Sequence, residues 1–412
     1  MKIALLGNMN NNNFSIMRYF RDLGADAHLL RWRDDEIGSN SHFIPENDTW
    51  NLDKWKPYVH KLPIDGSYYS LIGNPKKLRV PPTKKFLKKH LSGYDAYIGS
   101  GLTPSILNRC GMSLDIFYPY GVGIEEVGDR LIRLLLKDGP IIKRSVFAYI
   151  RKKQIIGIRS ARFCINLDMG LTRQTFEELG IDFIRSATPI VYNREAMEDS
   201  VPIESVDDAK KFDESTFKIL SQSRHFWLWD KLFSKEEWEK RSKHKEWLIH
   251  GFSNFLKEVK DDRSILIFMD YGKDVDASKK LCSELGIEQN IMWLPQMPRK
   301  NIMQLLKNCD IGVDQFSKEP GALWGGTGWE ALASGKPLLN SLGFTHEEYH
   351  KTFGHEPPPI LDVKSPEDIA AHLIDMYRNR DKMRVIGEKS GEWFNKYNGI
   401  GLAKKWLELL SS

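Results

Sequence analysis

The sequence predicts an α/β protein made of two halves, each built around a parallel sheet. The apolar run Lys2–Leu6 is followed by a loop, a helical segment and a second apolar run, Ala27–Trp32. This strand–helix–strand order is typical of a parallel βαβ unit. A second series starts at Phe217, after the acidic and polar stretch Val201–Ser215, which shows no apolar period. The length of 412 residues exceeds one ordinary core and agrees with two domains.

In the first half, residues 1–205, the predicted strands end in loop-forming residues. Gly7–Asn13 follows the first strand, and we expect Ser15 to cap a helix that runs to about Leu23. The segment from Asp34 to about Lys85 is polar and aromatic, which predicts an elaboration at one edge. Ligands of open α/β sheets bind beyond the carboxyl ends of the strands. Three further strands are expected, at Tyr94–Gly101, Asp115–Gly123 and Phe163–Asp168.

The second half covers residues 206–385, and residues 386–412 form helices that we expect to pack back on the first half. Two helices are expected after Ser365. The predicted strands are Phe217–Ser221, Ser264–Met269, Asn290–Leu294, Asp310–Asp314 and Leu338–Asn340, with helices at Trp247–Val259, Ala277–Leu285 and Asn301–Lys307.

The glycine-rich stretch Gly321–Pro337 is the most informative segment of this half. Helical spacing begins at Trp329, and Gly335 followed by Pro337 ends the helix. Glycines before a helix leave backbone N–H groups bare at the positive end of its dipole, where phosphate binds well. A tight turn without a ligand explains the glycines equally well.

From Phe217 onward the chain resembles the group 1 (family 4) retaining glycosyltransferases, which have the GT-B fold of two Rossmann-like domains facing across a cleft. Besides the glycine-rich stretch, four segments resemble family motifs and occur in the family's order. The first half shares the general α/β pattern of the family but matches none of its motifs. The four segments are Ser221–His225 (the strand-end arginine), Lys243–Phe252 (the lysine-led helix), Leu285–Pro298 (the segment that lines the base) and Leu305–Gln315, and they precede the signature-like Gly325–Pro337.

The resemblance implies that Arg224 and Lys243 hold the diphosphate of a nucleotide-sugar donor. Two fixed cations offset the charge that grows on the leaving diphosphate, whereas each alone reads as a surface cation. Glu330 would bind the ribose hydroxyls, and Met297 would meet the base through its backbone, although a lone methionine is more often core. The implied donor-binding loop consists of Ala322, Leu323, Trp324, Gly325, Gly326, Thr327 and Gly328.

One position departs from the family pattern. The family has a second glutamate eight residues before the one at Glu330, and this chain has Ala322 there. Either Glu319 substitutes through a longer loop, or Trp324 packs against the apolar face of the sugar. The identity of the sugar therefore depends on this loop.

In the first half, Gly7, Asn8 and Asn10 form the candidate acceptor or phosphate loop, because their amides can donate and accept hydrogen bonds. A plain asparagine-rich loop is the alternative. Related enzymes place a histidine at the end of a middle strand, where this chain has Tyr118–Gly123. Tyr120 could supply a hydroxyl there, or it could be a core or loop tyrosine.

Two basic segments suggest a membrane surface. Arg133–Arg162 holds nine Lys or Arg against one acid, with interleaved apolar residues, and Lys76–Lys89 adds seven cations. Such segments suit an anionic leaflet, and they equally suit a solvated helix packed on the sheet. Nucleic acid is a poorer interpretation, because no recognition motif accompanies the charge.

No metal or cofactor is expected. The Asp274–Asp276 pattern reads as the start of a helix rather than a metal site, and the four cysteines lack metal-ligand spacing. The N-terminal apolar run is too short for a signal peptide, which favours a cytoplasmic protein, peripheral on the inner face of a membrane if the basic segments bind it.

These features predict a retaining glycosyltransferase that moves a hexose-type sugar from a nucleotide-sugar to a hydroxyl of a glycan or lipid-linked acceptor, as in surface polysaccharide or glycoconjugate assembly. The alternatives are an inactive or regulatory GT-B-like glycan-binding protein at a membrane surface, or a nucleotide-sugar epimerase. An epimerase would need acidic residues and a histidine around the sugar, which the sequence does not place.

Overall fold

The structure is a computed structural model that describes residues 1–36, 43–67, 69–73, 78, 80–120, 123–124, 141–166, 170–186, 190–195, 202–239 and 242–412. The chain forms two compact units. Unit 1 consists of Met1–Tyr192 together with Tyr397–Ser412, and unit 2 consists of Asn193–Lys396. Both are α/β, as predicted.

Unit 1 contains a seven-stranded sheet in the order β3-β2-β1-β4-β5-β6-β7, and every adjacent pair is parallel. The order of its first four strands is that of a Rossmann-like sheet. The strands are β1 Lys2–Leu6, β2 Asp26–Arg31, β3 Val59–Lys61, β4 Ala96–Gly99, β5 Ile116–Phe117, β6 Phe163–Asn166 and β7 Ile184–Arg185. The helices are α1 Asn12–Asp22, α2 Leu52–Trp55, α3 Tyr69–Ile72, α4 Lys84–Leu91, α5 Thr103–Cys110, α6 Ile141–Arg159 and α7 Gly170–Leu179.

Unit 2 contains a six-stranded, parallel sheet in the order β10-β9-β8-β11-β12-β13. Its strands are β8 Phe217–Ser221, β9 Ser264–Met269, β10 Ile291–Leu294, β11 Ile311–Val313, β12 Leu338–Asn340 and β13 Leu361–Asp362. The helices are α8 Val206–Glu214, α9 Lys235–Glu239, α10 Lys245–Val259, α11 Val275–Glu284, α12 Arg299–Lys307, α13 Gly326–Ala333, α14 His346–Phe353, α15 Pro366–Arg378 and α16 Arg380–Tyr397. The last residue of α16, Tyr397, is assigned to unit 1. The final helix, α17 Ile400–Ser411, belongs to unit 1.

Strand β1 shows why these apolar runs become central strands. Ile3 and Leu5 join the core on one face of the sheet, while Ala4 and Leu6 join the core on the other. A strand buried on both faces needs a continuous apolar run, because alternate residues point to opposite sides. Trp406 of α17 lies fully buried in the first of these cores.

Three local predictions are wrong. Ser15 does not cap a helix: α1 begins at Asn12, and Ser15 is buried inside it. The chain enters this helix early because Asn10 and Asn11 adopt a positive φ of 54°, which asparagine tolerates better than most residues. The polar stretch before β8 contains α8, whose one buried residue, Phe212, is too little to produce a visible apolar period. Three helices, rather than two, follow Ser365, because the chain breaks again before α17.

Within the described residues, no helix combines the length and the apolar character that spanning a membrane requires.

Candidate active site

The candidate site of unit 2 is built on the start of α13. Gly325 precedes this helix and Gly326 begins it, directly after β11 and its loop. The helix packs closely on the strand: a Cβ at Gly312 of β11 would lie 2.5 Å from the Cβ of Ala331. The helix therefore points its positive end toward the carboxyl edge of the sheet, where an anion would be stabilised.

A carboxylate of the protein already contacts this helix start. Asp314, buried directly after β11, accepts hydrogen bonds from the backbone N–H of Gly325 and the hydroxyl of Thr327. These bonds hold the glycine-rich turn in place. They also mean that a diphosphate at this edge would lie beside a fixed negative charge, so nearby cations must outweigh it.

Glu330 lies in α13 and is almost fully buried. Its Oε1 accepts a hydrogen bond from Nε of Arg299 at 2.9 Å, and its Oε2 accepts one from Nε2 of Gln222 at 3.2 Å. Gln222 also donates to the carbonyl of Thr327 at 3.2 Å. The carboxylate is thus fixed by a charged partner and an amide, while each of its oxygens keeps a lone pair that can accept a hydroxyl.

The structure brings Lys243 close to this helix start. Lys243 is half-buried, and its Nζ donates to Oε1 of Gln315 at 2.7 Å. The other end of the same amide reaches the turn, since a Cβ at Gly325 would lie 3.9 Å from Nε2 of Gln315. Burial lowers the pKa of the Lys243 amine, with Arg224 acting in the same direction and Asp314 against it.

Arg224 is exposed, and its guanidinium carbon lies 5.3 Å from the ring centroid of Phe226. It follows β8 by three residues. A planar guanidinium held over a ring keeps its hydrogen-bonding edge free for an oxyanion. Arg224 and Lys243 are therefore two cations at one edge of the sheet.

The loop before α13 is ordered by packing. Trp324 is buried in an aromatic cluster, with its ring centroid 5.2 Å from that of Trp329 and 5.7 Å from that of Trp393. A Cβ at Gly328 would lie 2.6 Å from Cβ of Trp324, so the ring needs a glycine there. Packing of Trp324 on a sugar stays a prediction, and its position favours support of the loop.

Ala322 is held by backbone bonds, its N–H donating to Glu319 at 3.2 Å and its carbonyl accepting from Gly343 at 2.8 Å. Leu323 is buried, and Met297 is half-buried in the segment between β10 and α12. The acceptor on Glu319 is its backbone carbonyl, and the role of the Glu319 carboxylate as a substitute stays a prediction.

In unit 1 the loop after β1 is a network of amides. Asn8 is buried: its Nδ2 donates to Oδ1 of Asn11 at 2.6 Å, and its Oδ1 accepts the N–H of Phe14 at 3.0 Å. Nδ2 of Asn10 donates to the hydroxyl of Tyr120 at 2.9 Å, so two of the predicted residues do meet. The side chain of Asn8 thus serves the loop itself.

Gly7 and Asn8 also line a cavity of about 160 Å³ together with Trp32, Asp34 and Ser100. Gly7 has a φ of 76°, and a Cβ there would lie 2.6 Å from Nε1 of Trp32. The wall of this cavity therefore requires glycine at that position.

The basic segments are described only in part. Residues 133–140 of the first, and Lys76, Lys77 and Arg79 of the second, lie outside the described residues. In α6, Ile150 and Ile158 are buried in the core, whereas Tyr149 and Ile156 are exposed. The described part of α6 therefore packs on unit 1 with one side, and its other side carries cations and two apolar residues.

The Asp274–Asp276 pattern starts α11 as predicted, with Asp276 in the first turn and Asp274 at the N-cap position. Oδ2 of Asp274 accepts the N–H groups of Trp227 and Leu228, at 2.6 and 3.0 Å, and α11 begins with no side-chain cap. The carboxylate of Asp274 thus makes no capping hydrogen bond within α11 and instead fixes the loop after Arg224. No group of metal-ligating side chains occurs among the described residues.

Sequence reasoning missed the residues that hold the predicted ones in place. Gln222, Arg299, Asp314 and Gln315 contact predicted site residues. Three of them lie inside segments that resemble family motifs, but the resemblance assigned a role to none of the four. The one usable signal was position, because Gln222 and Asp314 directly follow β8 and β11.

Part of the chain is similar to a known sequence family. Residues 239–393 match the sequence model of the family "Glycosyl transferases group 1". This segment includes Lys243 and α13, and Arg224 lies before it. No curated protein sequence matches the chain.

Solved structures with the same fold cover the whole chain. HepE of Anabaena in complex with UDP and glucose has a TM-score of 0.55 at 12% identity, covering 100% of this chain and 99% of HepE. A TarM mutant of S. aureus, in complex with Fondaparinux, alpha-GlcNAc-glycerol and UDP, has a TM-score of 0.53 at 12% identity, covering 100% of both chains. Sucrose-phosphate synthase of Thermosynechococcus elongatus has a TM-score of 0.52 at 10% identity, covering 100% of this chain and 98% of the synthase. At such identities the likeness shows the fold alone, and that fold is GT-B, with residues 239–393 similar to the group 1 glycosyl transferases.

Proposed function

We propose that this protein is a retaining glycosyltransferase that moves a hexose-type sugar from a nucleotide-sugar donor to a hydroxyl of a glycan or lipid-linked acceptor. One observation carries the proposal: Arg224 and Lys243 lie at the edge of the sheet from which α13 starts, and Lys243 and α13 both fall in the segment that matches the family. The fold alone would not support an activity, because one fold hosts many functions.

The proposed chemistry breaks the bond between the anomeric carbon and the donor diphosphate. The acceptor hydroxyl oxygen forms the new bond on the same face of the sugar, and its proton passes to the leaving phosphate oxygen. Negative charge grows on the diphosphate during this step, and Arg224 and Lys243 are the groups that would stabilise it. The diphosphate itself assists the attack, so the step needs no second carboxylate and no metal.

We propose that the nucleoside is held by Glu330 and by the backbone near Met297. Arg299 and Gln222 fix the Glu330 carboxylate, which leaves it ready to accept the two ribose hydroxyls. The sugar would lie against the loop Ala322–Thr327, where Glu319 is the available carboxylate. Because the HepE complex contains UDP, UDP is the first nucleotide to test.

We place the acceptor on unit 1, beside Asn10 and Tyr120, whose hydrogen bond presents a hydroxyl at the end of the sheet. A lipid-linked acceptor would explain the exposed cations and apolar residues of α6, which suit an anionic leaflet. We therefore propose a cytoplasmic protein, peripheral on the inner face of the membrane, that acts in surface polysaccharide or glycoconjugate assembly.

The test is a screen of nucleotide-sugars by thermal shift, since a bound donor stabilises the fold. The stabilising donor is then used to measure slow release of nucleoside diphosphate in Arg224→Ala and Lys243→Ala. We expect a loss of about 10²- to 10³-fold in each. Lys257→Ala, an exposed lysine on α10, is the matched control and should keep full activity. Full activity in both site variants would disprove the assignment, and donor binding without turnover would indicate a glycan-binding protein.

A further inference from the structure

Lys245, the first residue of α10, is a fully buried lysine that the proposed reaction does not use. Its Nζ donates a hydrogen bond to Oγ of Ser221 at the end of β8 and lies 5.6 Å from the ring centroid of Phe268. An ammonium has three protons to donate. Among the described residues, Ser221 is the one hydrogen-bond partner found for this Nζ, so two donors of a charged Lys245 would be buried unsatisfied. Such burial is costly unless an opposite charge compensates.

Two charged groups near Lys245 have opposite effects on its protonation. Lys243 repels a second ammonium, while Asp314 attracts it. The Asp314 carboxylate is shared, however, since it also holds Gly325 and Thr327 at the start of α13. Burial first, and then Lys243, lower the pKa of the Lys245 amine to about 7, with Asp314 acting against them. Without a ligand, both the charged and the neutral amine are therefore populated near pH 7.

We propose that Lys245 takes up a proton when a nucleoside diphosphate binds beside Arg224 and Lys243, and releases it when the diphosphate leaves. The proton comes from the solvent and adds to the lone pair of Nζ, so no other bond changes. This inference rests on the proposed function, because it needs the diphosphate site.

The physical reason is electrostatic coupling. New negative charge close to a buried amine raises its pKa, and by linkage the charged amine strengthens the binding of the anion. Lys245 would act on the diphosphate through its charge and not by direct contact, since its side chain is fully buried and hydrogen-bonded to Ser221. It is therefore a positioning residue rather than a catalytic one.

Of the other ionisable groups near Lys245, Lys243 is the one that could take up the proton instead. Burial lowers the pKa of His225, in the loop beside Phe268, to about 3, with Lys245 and Lys279 acting in the same direction, so this ring stays neutral near pH 7. Lys243 is the alternative proton acceptor, because burial also lowers the pKa of its amine. A variant at Lys245 separates the two lysines.

The test is isothermal calorimetry of UDP binding in two buffers with very different ionisation enthalpies. At about pH 8 the terminal phosphate of UDP is fully ionised, since its pKa is about 6. We expect an uptake of about 0.5 to 1 proton for each UDP bound by the wild type. Lys245→Met should abolish most of this uptake, and the control Lys257→Met on the same helix should retain it.

The pH profile of the wild type gives a second readout that needs no variant. UDP affinity should weaken as the pH rises from about 7 to about 9, by up to about tenfold per pH unit. UDP binding with no proton uptake, or with equal uptake in Lys245→Met, would overturn this inference alone. The absence of UDP binding to the wild type would overturn the proposed function with it.

Discussion

The loop after β1 and the edge formed by β8 and β11 occupy equivalent places in the two units, since each central strand is third in its sheet. Their chemistry differs. After β1 the polar groups are neutral amides that pair with one another and with the backbone: Asn13 donates to Leu6 and Gly7 and accepts from Tyr118. After β8 the groups are charged, and burial lowers the pKa of Lys243 and Lys245.

The two loops would respond differently to a bound anion. A satisfied amide network stabilises its own loop and gains little from an anion. A cluster of half-buried and buried cations is unfavourable until an anion enters, so part of its folding cost is recovered on binding. The groups after β8 would therefore gain from a bound anion, whereas the amides after β1 are neutral and already paired.

The largest expected effect comes from the pH dependence of stability. The pKa of Lys245 is about 7 in the folded protein, whereas that of an unburied lysine is 10.5. Between these values the unfolded chain binds a proton that the folded chain does not, so the cost of burial is full below about pH 7 and fades as the pH rises toward 10.5. As the pH rises over this range, the free energy of unfolding of the wild type should increase by several kcal/mol relative to that of Lys245→Met, at about 1.4 kcal/mol per unit of pKa difference.

Urea unfolding of both proteins at several pH values measures this gain. Lys257→Met, on the exposed side of α10, should follow the wild type at every pH. If the free energies of unfolding of the wild type and Lys245→Met differed by the same amount at every pH, the pKa of the Lys245 amine would not be lowered in the folded protein.

A smaller effect is expected in the amide network. Asn13→Ala removes three hydrogen bonds, including the one that the hydroxyl of the buried Tyr118 donates to Oδ1 of Asn13. We expect a loss of about 3 kcal/mol in the free energy of unfolding, with no change between pH 7 and pH 9, since no charge is involved. The exposed Asn254 on α10 offers a matched control, Asn254→Ala, which should stay within about 0.5 kcal/mol of the wild type. A pH-dependent loss in Asn13→Ala would blur the contrast between the units.

The smallest effect concerns Glu330. Glu330→Gln keeps the shape but removes the charge that pairs with Arg299, and it weakens the acceptor for ribose hydroxyls. We expect UDP affinity to fall by about 2 kcal/mol, or roughly 30-fold. Inorganic diphosphate, which has neither base nor ribose, should bind the variant and the wild type with similar affinity. Equal losses for both ligands would place Glu330 near the phosphates instead.

The sequence predicted the α/β class, most of the strands and the position of α13, because continuous apolar runs and a glycine–proline helix end have direct physical causes. It could not predict α8, which buries a single residue, or the early start of α1 at two asparagines with positive φ. Arg299 and Gln315 were missed for another reason. Their partners, Glu330 and Lys243, are far away along the chain, and no local pattern encodes a contact made only after the sheet has formed.

The most direct test of the central claim is the affinity of UDP for Lys243→Ala, measured by calorimetry beside the wild type and the control Lys257→Ala. We expect the wild type and Lys257→Ala to bind UDP equally. Lys243→Ala should bind it at least about tenfold more weakly, because a charge-assisted contact contributes about 1.5 to 3 kcal/mol. Equal affinity in all three proteins would contradict a diphosphate site at the ends of β8 and β11.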